Sequence, residues 1–153
     1  HSEFATYLKA INVQNIPMLD WSAKFKMIFP SSTIRVDAAH NHKGTSIYNP
    51  LHGQKRADLW GESADIFVAG HHHTWAIQQH ENAGGQCVTY ARCRGYKFQD
   101  DYALRHGFNE ERYGASIFFV IDPLSPPPTR VKPFADLEEG AEFLTWKRNK
   151  VKL

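Results

Sequence analysis

Ile66-Phe67-Val68-Ala69-Gly70-His71-His72-His73-Thr74 is a short apolar run that stops at a glycine and delivers three consecutive histidines. Upstream, Ala38-Ala39-His40-Asn41-His42 shows the same order of apolar strand, turn and imidazole. Neutral imidazole is the commonest protein metal ligand, and Gly70 lets the backbone bend so that ring nitrogens converge. Side chains on a strand alternate between faces, so His71 and His73 are expected on one face and His72 on the other. The simplest chemistry that uses this pattern is a metal site at strand ends, with His40, His71 and His73 as ligands and His72 as a neighbour.

The chain around this stretch has 153 residues, enough for one domain with a real core and too few to expect two. Its hydrophobic (42%), aromatic (13%) and charged (22%) fractions are those of an ordinary globular protein, which removes disordered and collagen-like classes. A net charge of +2 creates no strong field toward nucleic acid or an anionic membrane. A phosphate-bearing substrate stays open, because a metal supplies positive charge locally. Cys87 and Cys93 lie in one strand-like segment, a poor geometry for a disulfide, and read as reduced thiols of a cytoplasmic protein. No apolar run approaches the roughly 20 residues that span a bilayer, and no secretory leader precedes the first strand. The chain starts at His1 rather than Met, which reads as a fragment or a processed product.

Glu3 to Asn12 carries Phe4, Tyr7, Leu8 and Ile11 at helical spacing. Lys24 to Phe29 and Thr33 to Ala38 alternate polar and apolar residues around Pro30-Ser31-Ser32, which predicts a hairpin running straight into His40. Asn41 to Gly53 is an irregular loop rich in Asn, Gly, Ser and His, and long irregular loops in compact domains tend to be functional. The sequence then predicts a helix over 54–60, a strand over 64–69 and a second hairpin from Trp75 to Tyr90 around Ala83-Gly84-Gly85. Asp100 to His106 reads as a helix and Ser116 to Asp122 as a buried strand. Pro126-Pro127-Pro128 reads as a stiff extended spacer, Thr129 to Lys132 as an edge strand, and Asp136 to Lys150 as a charged helix.

An isolated histidine is usually solvated or hydrogen-bonded, and His80 and His106 are read that way. Three imidazoles could also form a mononuclear zinc site with water in the fourth position, but no His-Glu-x-x-His helix accompanies them. The residues by themselves therefore point to a metal-dependent hydrolase or a metal-binding module.

His40 leading into Gly44-x-Ser46-x-Tyr48-Asn49-Pro50-x-His52-Gly53, followed by Asp65-Ile66-Phe67-Val68-Ala69-Gly70-His71-His72-His73, resembles the C-terminal half of the calcineurin-like metallophosphoesterases, in particular a phage and bacterial branch. Gly95-Tyr96-Lys97-Phe98-x-Asp100-x-Tyr102-Ala103 through Val120-Ile121-Asp122-Pro123 is similar to that branch as well, so the likeness spans roughly residues 24–123. The resemblance implies an α/β fold, half of a four-layer sandwich of two mixed β-sheets flanked by helices. It implies two divalent metal ions (manganese, zinc, iron or nickel) about 3.5–4 Å apart. By the same resemblance His40 and His71 bind one metal and His73 the other.

The family's first three motifs, Asp-x-His, Gly-Asp-x-x-Asp and Gly-Asn-His-Asp/Glu, do not occur ahead of this region. His1 is followed by Ser2, so no catalytic role is carried onto it. Residues 1–153 are thus read as a single domain, the C-terminal portion of a metallophosphoesterase. Its partner is a phosphoester substrate, nucleic acid included, together with an N-terminal half or partner chain bearing the carboxylates. Asn49 and His52 are candidates for contacting substrate, and Asp37 and Asn41 for orienting ligand rings. The alternative is a non-catalytic or degenerate module that docks with a catalytic half or binds metal only.

Overall fold

Alternation through Lys24-Phe25-Lys26-Met27-Ile28 and Thr33-Ile34-Arg35-Val36-Asp37 gives each segment one apolar face, which an extended chain can bury and a helix cannot. These segments form β1 (Ser22–Ile28) and β2 (Thr33–Ala39), paired antiparallel with Lys24 opposite Asp37 and Phe25 opposite Val36. The structure is a computed structural model that describes residues 21–72, 74–94, 105–106 and 116–151. After the 40–51 loop come α1 (His52–Trp60), β3 (Ile66–Ala69), β4 (Ala76–Glu81) and β5 (Cys87–Arg92). The chain continues with β6 (Phe118–Ile121), the short α2 (Pro127–Arg130), β7 (Val131–Phe134) and α3 (Leu137–Val151).

Five strands make one mixed sheet in the order β1-β2-β3-β5-β4. Its three central strands run parallel, and β1 and β4 pair antiparallel at the edges. β6 and β7 form a separate antiparallel pair. Register assigns the faces of the large sheet: Asp37, Phe67 and Tyr90 form one row, and Val36, Ile66 and Thr89 the next. Neighbours in a row share a face and successive rows alternate. Phe67, Val88 and Tyr90 pack with Leu51, Ala64 and the α1 residue Ala57 on the first face. Ile34, Val36 and Ile66 pack with Val131, Phe119 and Ile121 on the second, so β6–β7 lies against the side opposite α1.

Gln79 links the two sheets, its side-chain amide donating to the Val131 carbonyl at 2.8 Å and to Thr89 Oγ1 at 2.8 Å. α3 covers the outer side of β6–β7. Phe143 stacks 5.3 Å from Phe134, and Gly140 sits so close to the Phe118 ring that no Cβ fits there. Among the described residues no helix is long and apolar enough to cross a membrane.

Both expected hairpins form, and the α/β class is correct. The proline run is a correction. Instead of an extended spacer, residues 127–130 make one helical turn closed by Thr129 N donating to the Pro126 carbonyl at 3.0 Å. Proline's fixed φ suits the first turn of a helix, where its missing N–H has no partner to lose. The helix expected over 3–12 lies outside the described residues, as does all but Arg105 and His106 of that expected over 100–106. Cys87 and Cys93 are free thiols, half-buried rather than fully enclosed.

Candidate metal centre

Because β2, β3 and β5 run parallel, their C-terminal ends share one edge of the sheet. Ala39, Ala69 and Arg92 form the last row there. Crevices outside the carboxyl ends of such strands are where open α/β sheets place their ligands. The next residues leave the sheet together: His40 N donates to the Trp21 carbonyl at 2.7 Å, Gly70 N to the His40 carbonyl at 3.3 Å, and Cys93 N to the Ala69 carbonyl at 2.8 Å.

His40 and His71 are brought together at this edge. His40 Nε2 lies 2.9 Å from His71 Nδ1, with one ring donating to the other. Both residues are exposed, and the Trp21 indole stands edge-on to His40 at 5.1 Å. The bend assigned above to Gly70 is a correction. His71 itself takes the left-handed backbone, at φ 70°, while Gly70 has no positive φ. A non-glycine residue held there costs on the order of 1–3 kcal/mol, and such strain gathers at ligand sites. His73 lies outside the described residues, so its expected place beside His71 carries no geometry here.

The loop behind His40 lines a cleft of about 450 Å³ together with Asn49, His52, His72 and Arg92. Both substrate-contact candidates therefore meet in one cavity, although Asn49 is also structural: its Oδ1 accepts Leu51 N at 3.1 Å as α1 begins. Ser46 Oγ accepts the Asn49 and Tyr48 amides at 3.2 and 3.3 Å, which holds the loop against the helix start. Gly53 is required for that approach, since a Cβ there would lie 2.7 Å from the His42 carbonyl oxygen. His40 instead lines a recess of about 330 Å³ with Trp21, Val68 and Cys93. Burial pushes the Cys93 thiol up, only partly opposed by a backbone hydrogen bond at Ile117, so it keeps its proton at neutral pH.

Asp37 does not orient a candidate ligand ring. It is 7% exposed and accepts from His42 Nε2 at 3.1 Å, with Lys24 Nζ 3.9 Å from its other oxygen. Row alternation explains this: Asp37 shares the buried face of Phe67, and His42 folds back over that ring. His42 Nδ1 is buried with no hydrogen-bond partner among the described residues, a cost of roughly 1–3 kcal/mol. His80, expected to be solvated or hydrogen-bonded, instead packs 5.2 Å from Tyr90 with its Nδ1 buried and without a hydrogen-bond partner among the described residues.

Arg92 is the residue sequence reasoning missed. Val88 and Tyr90 mark the buried face of β5, and the same alternation carries Arg92 onto that face at the strand's end. Its Nε donates to the Thr74 carbonyl at 3.0 Å, and its Nη2 donates to Thr74 Oγ1. Half-burial draws the guanidinium below its usual value, yet an arginine stays charged at any physiological pH.

Among the described residues no third His, Cys, Asp or Glu joins the histidine pair into a group able to hold a metal. Comparison with family models, curated proteins and solved structures finds no match for this chain.

Proposed function

We propose that the chain is the C-terminal portion of a metal-dependent phosphoester hydrolase with a dinuclear centre, to which it contributes His40, His71 and His73. The observation that carries this reading is the 2.9 Å approach of His40 Nε2 to His71 Nδ1 at the ends of adjacent parallel strands. Two nitrogens bound at about 2.1 Å to one ion stand roughly 3.0 Å apart in neighbouring octahedral positions and roughly 3.4 Å apart in tetrahedral ones. Once its mutual hydrogen bond opens, the pair comes close to the spacing of two ligands of one metal. The mixed α/β class, with α1 and α3 on the outer faces of the large sheet and β6–β7, is the coarse feature that supports the reading.

When bound, divalent ions at such a centre polarise the phosphoryl oxygens and lower the pKa of water toward neutrality. His40 and His71 hold their rings at the sheet edge by backbone hydrogen bonds and by the left-handed turn. In this reading His52 and Asn49, which line the neighbouring cleft, supply the hydrogen-bonding groups for a phosphoester's oxygens. The carboxylate donors that hard and borderline cations require come, in this reading, from chain beyond the described residues.

A non-catalytic module is the second reading. It is favoured by the lack of a third donor beside the pair among the described residues.

The test is hydrolysis of p-nitrophenyl phosphate and bis-p-nitrophenyl phosphate by the intact protein with manganese or zinc, measured alongside metal stoichiometry. His40→Ala and His71→Ala should each lower kcat by about 100-fold or more, beyond the 10–100-fold typical of outer-shell changes. Undiminished hydrolysis in either variant would overturn the enzyme reading. Failure of the intact protein to take up metal would leave the module.

A further inference from the structure

The cleft between the 41–54 loop and β5 contains a cation that no acid faces among the described residues. Most of its lining residues, among them Ser46, Asn49, His52, Gln54, His72 and Arg92, are polar or basic, and no Asp or Glu lines it among the described residues. The partners of Arg92 among the described residues are the carbonyl and hydroxyl of Thr74. Among the described residues no carboxylate neutralises this half-buried guanidinium, whose charge is costly to remove from water unless an anion answers it.

The two bonds to Thr74 also fix the plane of the guanidinium. Arginine's five N–H donors are set in a fork suited to oxyanions, so a fork tethered along one side offers a pre-oriented edge. The floor of the cleft is set as well. Gln54 is 3% exposed and its amide is tied to the Ala91 carbonyl at 3.2 Å, while Gly44, at φ 108°, brings the loop down onto His52. The volume of about 450 Å³ lies in the range of small-molecule sites.

We infer that this cleft is a binding site for a phosphoryl group, with the Arg92 guanidinium as its anion-binding element and His52 and Asn49 as hydrogen-bonding partners. The ligand class is a phosphate monoester or free phosphate. Its chemistry is a compact oxyanion with several acceptors, which matches a fork plus imidazole and amide donors better than an apolar or cationic ligand would. The inference rests on the proposed function in taking His52 and Asn49 as phosphate contacts, but it does not require metal at His40 and His71. Arg92 and the cleft lie on the α1 face of the sheet, whereas His40 borders the recess beneath Trp21.

The experiment titrates inorganic phosphate, and separately phenyl phosphate, into the intact protein with a chelator present, following backbone amide resonances. Saturable shifts at Thr45, Ser46, Gly53 and Gln54 are expected on the unmodified protein. Tighter binding of phenyl phosphate identifies an ester as the ligand, and equal or weaker binding identifies free phosphate. Arg92→Gln should weaken binding by roughly ten- to a hundredfold, because a hydrogen bond to a charged partner is lost. Arg92→Lys, which keeps the charge and loses the fork, should fall between the two. Lys24→Ala, away from the cleft, should bind as the unmodified protein does. The site is ruled out by the absence of saturable shifts on the unmodified protein, by shifts confined to His40 and His71, or by undiminished binding in a folded Arg92→Gln variant.

Discussion

His40 Nε2 and His71 Nδ1 meet at 2.9 Å, and His71 adopts a left-handed backbone at that meeting point. The strained conformation and the imidazole can be separated by mutation. His71→Gly removes the ring and relieves the backbone, since glycine enters that region freely. His71→Ala removes the ring and keeps the strain. The glycine variant should be the more stable of the two by about 1 kcal/mol by urea denaturation, with both equally impaired in metal uptake. Equal stability would show that the φ of 70° carries no cost.

That relationship also shows which parts of the site the sequence disclosed. Apolar runs ending in histidines at residues 40 and 71 fixed the strands, because alternation and burial are properties of short segments. The parallel pairing of β2 with β3, which places the two rings at one edge, depends on a crossover through α1 that no short segment encodes. Gly70 looked like the bend because glycine permits one, but permission does not decide which residue turns. Asp37 looked available to a ligand ring until register placed it over the core beside Phe67. Arg92 sits one alternation step beyond Tyr90, so its face was legible in the strand pattern, while its exposure to a cleft was not.

Asp37 and His42 form a buried hydrogen-bonded pair that ties the start of the functional loop to the sheet. Asp37→Ala would strand an imidazole N–H in a pocket against Phe67. Breaking one side of such a pair costs on the order of 3 kcal/mol. Asp37→Asn keeps an acceptor and should lose less. Lys24→Ala, at 3.9 Å and half exposed, should change stability by under about 0.5 kcal/mol. Urea midpoints of the three variants test this order, and a Lys24 effect as large as that of Asp37→Ala would refute it.

Gly53 lets α1 begin directly beneath the 42–44 backbone. A methyl group added there lies 2.7 Å from the His42 carbonyl oxygen and 3.1 Å from that of Gly44, and both are main-chain atoms that cannot rotate away. Gly53→Ala should therefore cost about 2 kcal/mol, within the range for overpacked interiors, despite alanine's better helix propensity. The displaced loop should also weaken phosphate binding in the cleft. A gain in the thermal midpoint would mean that the loop yields without cost.

Asp122 closes the turn after β6, and its environment favours the ionised form. Lys147 Nζ donates to Oδ2 at 2.7 Å, the Ser125 hydroxyl donates to the same oxygen at 2.8 Å, and Leu124 N donates to Oδ1 at 3.1 Å. The Lys147 and Ser125 hydrogen bonds are the largest influences, and the carboxyl is pushed down to about 2. An unfolded aspartate titrates near 3.9. A folded-state value below the unfolded one gives stability that is fully present above about pH 4 and is lost as pH falls through about 2. The side chains are 32% and 27% exposed, so solvent screens the pair and its worth is under about 1 kcal/mol. Lys147→Met should therefore lower stability by about half a kcal/mol near neutral pH. Its urea curve should converge on that of the unmodified protein as pH falls below about 2, where Asp122 becomes protonated in both. A difference that stayed constant down to that pH would locate the role of Lys147 in its packing rather than in its charge.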